Sequence, residues 1–542
     1  MAKNKYVLQV VMFLGIVITG AAQNRYMVFF ADKTNNPYSI SNPIDFLSQK
    51  AIDRKDRISI SEMDLPVNPD YINGLQNEGL KILHTSKWLN GAIVEATSTQ
   101  MESLDLSYVT SYDYIGFGSK PIPSGRIEGS GDNTGGRVEA SFVQNEVLGV
   151  SKMNEDGYNG DGIEIAVLDA GFNAIDENIY MRHAFDNSRV ISTYDFVRKS
   201  DFVYDYSSHG ANVLTIFGAS LDGSYIGGGH GADYHLFITE DVDSEYPIEE
   251  YNWLVAAEKA DSAGVDIITT SLGYYTFDSP LNDHDYSLDD LDGQTSIITR
   301  ALEMAYERGI LVVTSAGNEG RSSNPWQRIT FPADAEHALS VGAVNVNNMI
   351  IADFSSPGPT ADNRIKPEVV AVGEGTTYIN IGGAVTAGNG TSYAAPLIAG
   401  LAAGLWQKYP DLSNEELRNL ILQSGDMFDT PNNNYGYGMP NYTRASNLHE
   451  GIETAVEETI YSNLKVYPNP LSGNEKLFIN NDNIHGNAQL QLVSLTGSIS
   501  YNVQYEYSKL KSGIEIPVLE FGTYILILRT SDKVYRQPIV IK

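Results

Sequence analysis

Short apolar runs alternate with segments of helical periodicity between residues 140 and 447. The apolar runs are bounded by Gly or Asp and have the sequences "IEIAVLDAG", "DYHLFI", "VDIITTSLG", "GILVVTSAGN" and "ALSVGAVN". The helical segments between them are "EYNWLVAAEKADSAG" and "QTSIITRALEMAYERG". Continuously apolar strands that alternate with helices indicate a parallel sheet covered on both faces, so the pattern predicts a three-layer α/β domain. A ligand site in such a domain lies at the carboxyl ends of the strands.

A smaller unit precedes this domain. Residues 23–116 combine an apolar strand, helical patterns over 43–56 and 67–78, and two further strands around an Asn-Gly pair. This combination predicts a small α+β unit. Residues 117–139 are rich in Gly, Ser and Pro and low in apolar residues, so they are a predicted linker of the exposed kind that proteases cut.

The chain ends in a third pattern. Residues 460–542 contain only short alternating strands, which predict a small β-sandwich, and residues 448–459 form a second predicted linker. At the other end, residues 1–22 resemble a secretory signal, because two lysines precede an apolar run that ends in small residues. That run is shorter than the roughly 20 residues of a membrane-spanning helix, so we predict export and no transmembrane anchor.

Composition narrows the classes of function. Apolar residues make up 42% of the 542-residue chain and charged residues 19%, as in globular proteins. The formal net charge is −32, which argues against nucleic acid as a partner because phosphate binding requires clustered Lys and Arg. The chain has no cysteine, so disulfides, thiol catalysis and thiolate metal sites are excluded.

Four polar residues follow apolar runs or open helices, where a site is expected: Asp169, His209, Asn318 and Ser392. Each has an ordinary structural explanation, namely a turn or cap for Asp169, a loop histidine for His209 and an Asn-containing turn for Asn318. Ser392, in "GNGTSYAAPLIAG", could simply cap a helix. We expect Pro396 to lie in the first turn of that helix, which places its start near Ser392.

Taken together, these residues match one family. The order Asp…His…Ser is that of subtilisin, and "VLDAG", "SHGANV", "SAGNEG" and "GTSYAAP" resemble the Asp, His, oxyanion-Asn and Ser motifs of subtilisin-like serine peptidases, family S8. The resemblance implies a subtilisin-like domain over 140–447 and a secreted endopeptidase acting on proteins or peptides. It implies that Asp169, His209 and Ser392 are catalytic and that Asn318 binds the oxyanion.

The resemblance extends to further residues. It implies that substrate backbone binds Ser271, Leu272, Gly273, Ser315, Ala316 and Gly317. Residues 23–116 resemble a propeptide that occupies the active site, so the chain would be a zymogen. Residues 460–542 resemble a type IX secretion sorting domain, through "VYPNP", "LVSLTG" and "GTYILIL". This implies contact with type IX secretion machinery and a secreted or cell-surface location, reached through the periplasm of a Gram-negative bacterium.

Two departures from the family pattern stand beside the motifs. The family usually has a hydroxyl residue where this chain has Ala170 and Thr where it has Ala211, so we expect altered hydrogen bonding around the site rather than lost chemistry. These alanines keep a second hypothesis open, a catalytically silent surface protein that uses the same fold for binding. A lipase or esterase is disfavoured, because no G-x-S-x-G motif surrounds Ser392.

Metal binding has weaker support in the sequence. The resemblance implies no required cofactor, and residues 282–294 carry five aspartates, so calcium is a candidate ligand there. Because the EF-hand pattern is absent, an exposed acidic loop or a rim of the substrate site is the favoured interpretation. The stretch 227–235 contains His230 and His235 without a zinc motif, and its glycines do not form a P-loop. We therefore predict loops at both stretches and no metal site.

Overall fold

A computed structural model of the protein describes residues 23–55, 57–117, 138–221, 224–451 and most of 458–542. Excluded from the last range are 462–463, 473–474, 482–483, 485, 495–498, 518, 520 and 531–532. The predicted signal at 1–22, most of the predicted linker 117–139 and part of 448–459 lie outside the described residues.

The N-terminal unit, residues 23–117, is a four-stranded antiparallel sheet with the strand order β2-β3-β1-β4. Its strands are β1 (Asn24–Phe30), β2 (Lys81–Ser86), β3 (Gly91–Ala96) and β4 (Val109–Phe117), and its helices are α1 (Gln49–Lys55), α2 (Pro69–Asn77) and α3 (Ser98–Glu102). The single helix predicted over 43–56 is instead a 3₁₀ turn followed by α1. The break occurs because Ser48 starts a new helix, with its hydroxyl accepting a hydrogen bond from the Ala51 N–H at 3.0 Å.

The central domain is built on an eight-stranded sheet with the order β14-β13-β12-β11-β10-β5-β9-β6. Its strands are β5 (Glu164–Asp169), β6 (Val190–Asp195), β9 (Asp233–Ile238), β10 (Ile267–Thr270), β11 (Leu311–Ser315), β12 (Leu339–Asn345), β13 (Val369–Ile379) and β14 (Val385–Asn389), with β7 (Ser220–Leu221) and β8 (Tyr225–Ile226) forming a separate hairpin. All neighbouring pairs are parallel except β13 and β14. The five predicted strands are present, whereas β6, β13 and β14 were not predicted.

Helices cover both faces of this sheet. They are α4 (Val138–Val147), α5 (Val150–Glu155), α6 (Arg182–Asp186), α7 (His209–Gly218), α8 (Ile248–Ala263), α9 (Ile297–Glu307), α10 (Thr391–Lys408), α11 (Asn414–Gln423) and α12 (Tyr442–His449). Alternate residues of β5 point to opposite sides, so Ile165 and Val167 join the core with α7 and α10, whereas Ala166 and Leu168 join the core with α8 and α9. The predicted three-layer architecture is confirmed.

The N-terminal unit packs against α8 through charged groups as well as apolar ones. Fully buried Asp261 of α8 is bonded by three cations of that unit, Arg54, Lys55 and Lys87, at 2.6, 2.9 and 2.7 Å. Glu258, one turn earlier on α8, accepts hydrogen bonds from residues 86–88. The buried ionic groups of α8 are therefore neutralised by the unit that precedes the domain, as buried charges must be.

The C-terminal unit is a β-sandwich, as predicted. Its strands are β15 (Glu458–Tyr461), β16 (Lys465–Tyr467), β17 (Lys476–Asn480), β18 (Asn487–Ser494), β19 (Ile499–Glu506), β20 (Ile514–Glu515), β21 (Gly522–Arg529) and β22 (Lys533–Ile541), with the short helix α13 (Tyr507–Ser512). They form a five-stranded and a three-stranded sheet around one apolar core. No helix within the described ranges is both long and apolar enough to span a membrane.

One buried carboxyl group of α8 links stability to pH. Glu250 is 1% exposed and accepts hydrogen bonds from the Tyr286 hydroxyl and the Ile298 N–H. Burial raises the pKa of Glu250 to about 8, well above its value of about 4.5 in an unfolded chain. The folded protein therefore binds more protons than the unfolded chain between these values, and this contribution to stability is lost as the pH rises from about 4.5 to 8.

We accordingly expect Glu250→Gln to flatten the decline in stability between about pH 4.5 and pH 8. The free energy of unfolding, measured by urea denaturation from pH 5 to 9, should fall less steeply in the variant, by up to about 1.4 kcal/mol per pH unit. Glu307→Gln, at a side chain of α9 that is 69% exposed, is the control and should keep the wild-type slope. Equal slopes in all three proteins would contradict the assignment.

Candidate active site

The carboxyl edge of the sheet brings three predicted residues into a row. Asp169 is the last residue of β5. Thr270, the last residue of β10, pairs with the penultimate residues of both neighbouring strands, β5 and β11. Asp169, Ser271 and Ser315 therefore lie side by side at the end of three adjacent parallel strands, where the sequence predicted a ligand site.

Asp169 and His209 form a direct pair. His209 is the first residue of α7, and its Nδ1 donates to Asp169 Oδ1 at 2.7 Å. The same oxygen accepts the Ala170 N–H at 2.7 Å. Asp169 is fully buried, whereas the histidine side chain is 22% exposed. Gly210 permits this approach, because a Cβ there would lie 2.8 Å from the Asp169 Cβ.

The second carboxylate oxygen of Asp169 is relevant to the expected effect of alanine at position 170. Asp169 Oδ2 is buried and accepts no hydrogen bond from any described residue. A buried carboxylate oxygen in this state lacks one of its usual stabilising contacts. The altered hydrogen bonding expected from Ala170 therefore has a candidate location at this oxygen. Ala211, at the other departure, is 2% exposed and packs into the core with α10.

Ser392 is the second residue of α10, whose N-cap is Gly390. Its hydroxyl donates to the Ser271 carbonyl at 3.3 Å. Pro396 is the sixth residue of α10, so it lies in the second turn rather than the first, and that expectation was wrong. The helix nevertheless starts within one residue of the predicted position. In its first turn the Thr391 N–H donates to Asn318 at 2.9 Å and the Tyr393 N–H to the Gly390 carbonyl at 3.1 Å. The Ser392 N–H lies between them at the positive end of the helix dipole, where it can bind an anion.

Asn318 is held beside this helix start. Its Oδ1 accepts both the Thr391 N–H, at 2.9 Å, and the Thr391 hydroxyl, at 3.1 Å. A Cβ placed on Gly390 would lie 3.7 Å from the Ser392 nitrogen and 3.9 Å from Asn318 Nδ2. Both nitrogens thus border one small space, at van der Waals distance from the point where a Cβ on residue 390 would stand. Thr391 was not predicted as a site residue, although its place next to Ser392 in the motif is a signal for it.

The two predicted substrate-binding segments lie against each other. The Ser315 hydroxyl donates to the Leu272 carbonyl at 3.4 Å, and the Thr330 N–H donates to the Ala316 carbonyl at 3.1 Å. A Cβ at Gly273 or Gly317 would lie 2.3 or 2.8 Å from Thr330 Oγ1. This hydroxyl, which is buried and without a hydrogen bond among the described residues, sits between both segments. Sequence reasoning missed Thr330, since no motif marks it.

The acidic segment 282–294 does not gather its carboxylates around one point. Among the residues that the structure describes, the carboxylates close enough to share an ion are those of Glu240, Glu245 and Glu249, whose oxygens lie within 4.8 Å of one another. The Tyr274 hydroxyl donates to Glu240. These glutamates could hold a cation with oxygen ligands, such as calcium. The segment 282–294 contains two single 3₁₀ turns, Asn282–His284 and Leu288–Asp290.

The two histidines of 227–235 are engaged by protein groups. The prediction of a loop at His235 was wrong. This residue lies in β9, because the strand formed by "DYHLFI" extends through it. It is buried between Ser192 Oγ and Glu164 Oε2, at 2.8 and 2.9 Å. The His230 ring contacts the Gly227 carbonyl at 2.8 Å. Both rings therefore have structural roles in the central domain.

A mostly parallel sheet, a buried Asp–His pair at its carboxyl edge and a serine at a nearby helix N-terminus are typical of α/β serine hydrolases. Comparison with known proteins makes the class specific. Residues 160–438 match the model of the subtilase family, peptidase S8, and the chain belongs to this family. Residues 25–126 match the peptidase S8 propeptide domain of Bacteroidota, and residues 465–542 match the secretion system C-terminal sorting domain.

Individual relatives agree with these matches. Serine protease AprX of Bacillus subtilis is 30% identical over 335 residues, which cover 56% of this chain and 69% of that protein. Subtilisin E of Bacillus subtilis is 30% identical over 316 residues, or 57% of this chain and 73% of that protein. The crystal structure of the epidermin leader peptide processing serine protease (EpiP) from Staphylococcus aureus has a TM-score of 0.54 at 15% identity. The superposition covers 79% of this chain and 98% of that chain, and it shows that the two proteins share a fold.

The predictions of family, fold class and enzyme class are confirmed. The protein is a subtilisin-like serine peptidase with a propeptide and a C-terminal secretion sorting domain. The sorting domain indicates a secreted or cell-surface protein, as predicted, and the matching propeptide family is that of Bacteroidota.

Proposed function

We propose that this peptidase cleaves internal peptide bonds through the triad Asp169, His209 and Ser392, with Asn318 in the oxyanion hole. One observation carries the proposal: Asp169 binds His209 Nδ1 at 2.7 Å at the carboxyl edge of the sheet that also holds Ser271, the hydrogen-bond partner of Ser392. The family's chemistry requires a base, an orienting acid and a nucleophile in this relation.

The proposed reaction proceeds by acyl transfer. Asp169 holds the Nδ1–H tautomer of His209, which makes Nε2 the basic nitrogen. His209 takes the Ser392 hydroxyl proton as Ser392 Oγ attacks the peptide carbonyl. It then gives that proton to the leaving amine, so an acyl-enzyme remains and the C–N bond is broken. A water molecule attacks the acyl-enzyme in the same way and releases the carboxylic acid and free Ser392.

The proposed oxyanion hole consists of the Ser392 N–H and the Asn318 side-chain amide. Both donors border the small space beside Gly390, and the helix start adds the positive end of its dipole. Preorganised donors of this kind stabilise the charge that develops on the carbonyl oxygen in the transition state. We further propose that substrate backbone binds along Ser271–Gly273 and Ser315–Gly317, and that the reaction requires no cofactor.

Removing the Asn318 donor should therefore lower turnover more than binding. We expect Asn318→Leu to reduce kcat by about 10²–10³-fold with little change in KM, since the lost bond forms mainly in the transition state. The comparison variant is Asn324→Leu, in the same loop, whose amide contacts Glu319 instead. Steady-state hydrolysis of a fluorogenic peptide measures both. An increase in KM with an unchanged kcat would argue against an oxyanion role for Asn318.

We propose that the N-terminal unit inhibits the peptidase until it is cut off within 117–139. Its last strand, β4, ends beside the central domain, where the Phe117 and Tyr246 rings lie 5.6 Å apart. Its cations also neutralise Asp261 of α8. The C-terminal unit is proposed to be the partner of type IX secretion machinery.

A fluorophosphonate probe tests the catalytic proposal. The precursor, and the protein after removal of residues up to the linker, are incubated with the probe, with and without EDTA. Mass spectrometry then locates the adduct. We expect labelling of Ser392 in the mature protein, slower labelling of the precursor, and no effect of EDTA on the initial rate. Failure of mature, folded protein to react at Ser392 would favour the catalytically silent binding protein.

A further inference from the structure

Pro396 leaves one carbonyl at the start of α10 without its helical donor. In an α-helix, the N–H of each residue donates to the carbonyl four residues earlier. Proline has no N–H, so the residue at position 396 cannot donate to the Ser392 carbonyl. The carbonyl that loses this bond belongs to Ser392 itself, in the first turn of an 18-residue helix.

The side chain of Ser271 donates to this carbonyl. Ser271 Oγ lies 3.0 Å from the Ser392 carbonyl oxygen, and in return Ser392 Oγ lies 3.3 Å from the Ser271 carbonyl oxygen. Ser271 is 6% exposed and directly follows β10, next to β5 in the sheet. A part-buried pair of hydrogen bonds therefore joins the end of a central strand to the start of α10.

We propose that Ser271 is a positioning residue for Ser392 and that its hydroxyl replaces the hydrogen bond which Pro396 removes. This inference rests on the proposed function of Ser392 as nucleophile. A helical bond from residue 396 would tie the Ser392 backbone only to its own helix. The bond from Ser271 ties it to the strand whose neighbour ends in Asp169, so the helix start is held in register with the Asp169–His209 pair.

The role assigned to Ser271 differs from substrate binding by main-chain atoms. The resemblance assigns the segment Ser271–Gly273 to the substrate backbone, a role that any side chain at position 271 would leave in place. Loss of the hydroxyl should instead disturb the Ser392 N–H and Oγ, which act on the reacting carbonyl. The expected signature is a fall in kcat with little change in KM.

A double-mutant cycle tests this inference, because alanine at position 396 restores the missing N–H. The proteins are the wild type, Ser271→Ala, Pro396→Ala and the double variant, each as mature enzyme with its folding checked by near-UV circular dichroism and thermal melting. We expect Ser271→Ala to lower kcat and the rate of fluorophosphonate labelling by up to about tenfold, the effect of one lost hydrogen bond. In the Pro396→Ala background the same change should cost less than about threefold.

Two further variants make the cycle specific. Ser271→Cys retains a weak donor and should give an intermediate rate. Ser315→Ala removes a hydroxyl from the neighbouring segment that bonds Leu272 instead, so its effect should be equal in both backgrounds. An equal loss from Ser271→Ala in both backgrounds, with the wild type labelled at Ser392, overturns the positioning role alone. A wild type that is not labelled overturns the proposed function as well.

Discussion

Replacement of Ser392 by alanine should abolish peptide hydrolysis, with a fall in kcat of about 10⁶-fold, the size of loss that accompanies removal of a triad nucleophile. The variant should accumulate as uncut precursor if the chain removes its own N-terminal unit, and it should not react with a fluorophosphonate. Hydrolysis is measured with a fluorogenic peptide, and processing by the mass of the secreted product. Residual turnover within about 100-fold of wild type would exclude Ser392 as the nucleophile.

Ser413 provides a matched control, because it also starts a helix. It is the N-cap of α11, and its hydroxyl accepts the Glu416 N–H at 3.2 Å. Ser413→Ala should lower the free energy of unfolding by about 1 kcal/mol and leave hydrolysis unchanged. Ser392→Ala should instead abolish hydrolysis without removing a helix cap, since the Ser392 hydroxyl contacts Ser271 and not the first turn of its own helix. The pair separates a capping serine from a nucleophilic one.

Replacement of Asp169 by asparagine should lower kcat by about 10⁴-fold while leaving the fold intact. An asparagine amide at this position can donate to Nδ1 of His209, which would favour the tautomer with its proton on Nε2. That nitrogen could then no longer accept the Ser392 proton. The measurement is kcat on a fluorogenic peptide, together with the rate of fluorophosphonate labelling, which should fall in parallel.

Asp195 is the control for this second variant. It ends β6 as Asp169 ends β5, is 1% exposed, and accepts the N–H groups of Val197 and Arg198 at 2.9 and 2.8 Å. Asp195→Asn should reduce stability but keep kcat per folded molecule near the wild-type value. If both variants lose activity equally, the effect of Asp169 would be structural, and its role as the orienting acid would be contradicted.

Much of the site was predictable because its residues occupy ends of elements. Apolar runs mark the strands of the central sheet, so the residues that follow them, including Asp169 and Asn318, could be placed at one edge from sequence alone. The strands β13 and β14 were not predicted, because glycines interrupt their apolar pattern and their pairing is antiparallel. Thr330 lies far along the chain from Gly273, and only folding brings them together.

Burial of charge was the least predictable property. Glu250, Glu258 and Asp261 lie on α8, and carboxylates in a helical pattern normally indicate a solvent-facing side. Their partners are distant in sequence, namely Tyr286 for Glu250 and residues 54–88 of the N-terminal unit for the other two. The pattern in one segment cannot show a surface that a second segment covers. The burial of these carboxylates therefore could not be predicted from the helical pattern of α8 alone.

The surroundings of the α8 carboxylates depend on whether the N-terminal unit is attached. While the N-terminal unit is attached, Asp261 and Glu258 behave as core residues, and losing one partner would leave an uncompensated buried charge. If the proposed cleavage removes that unit, the same carboxylates lose its cover and water can solvate them instead. Inherited changes at these positions would thus act on maturation and yield of the enzyme, whereas changes at the carboxyl edge would act on each turnover. Selection can adjust the two properties independently.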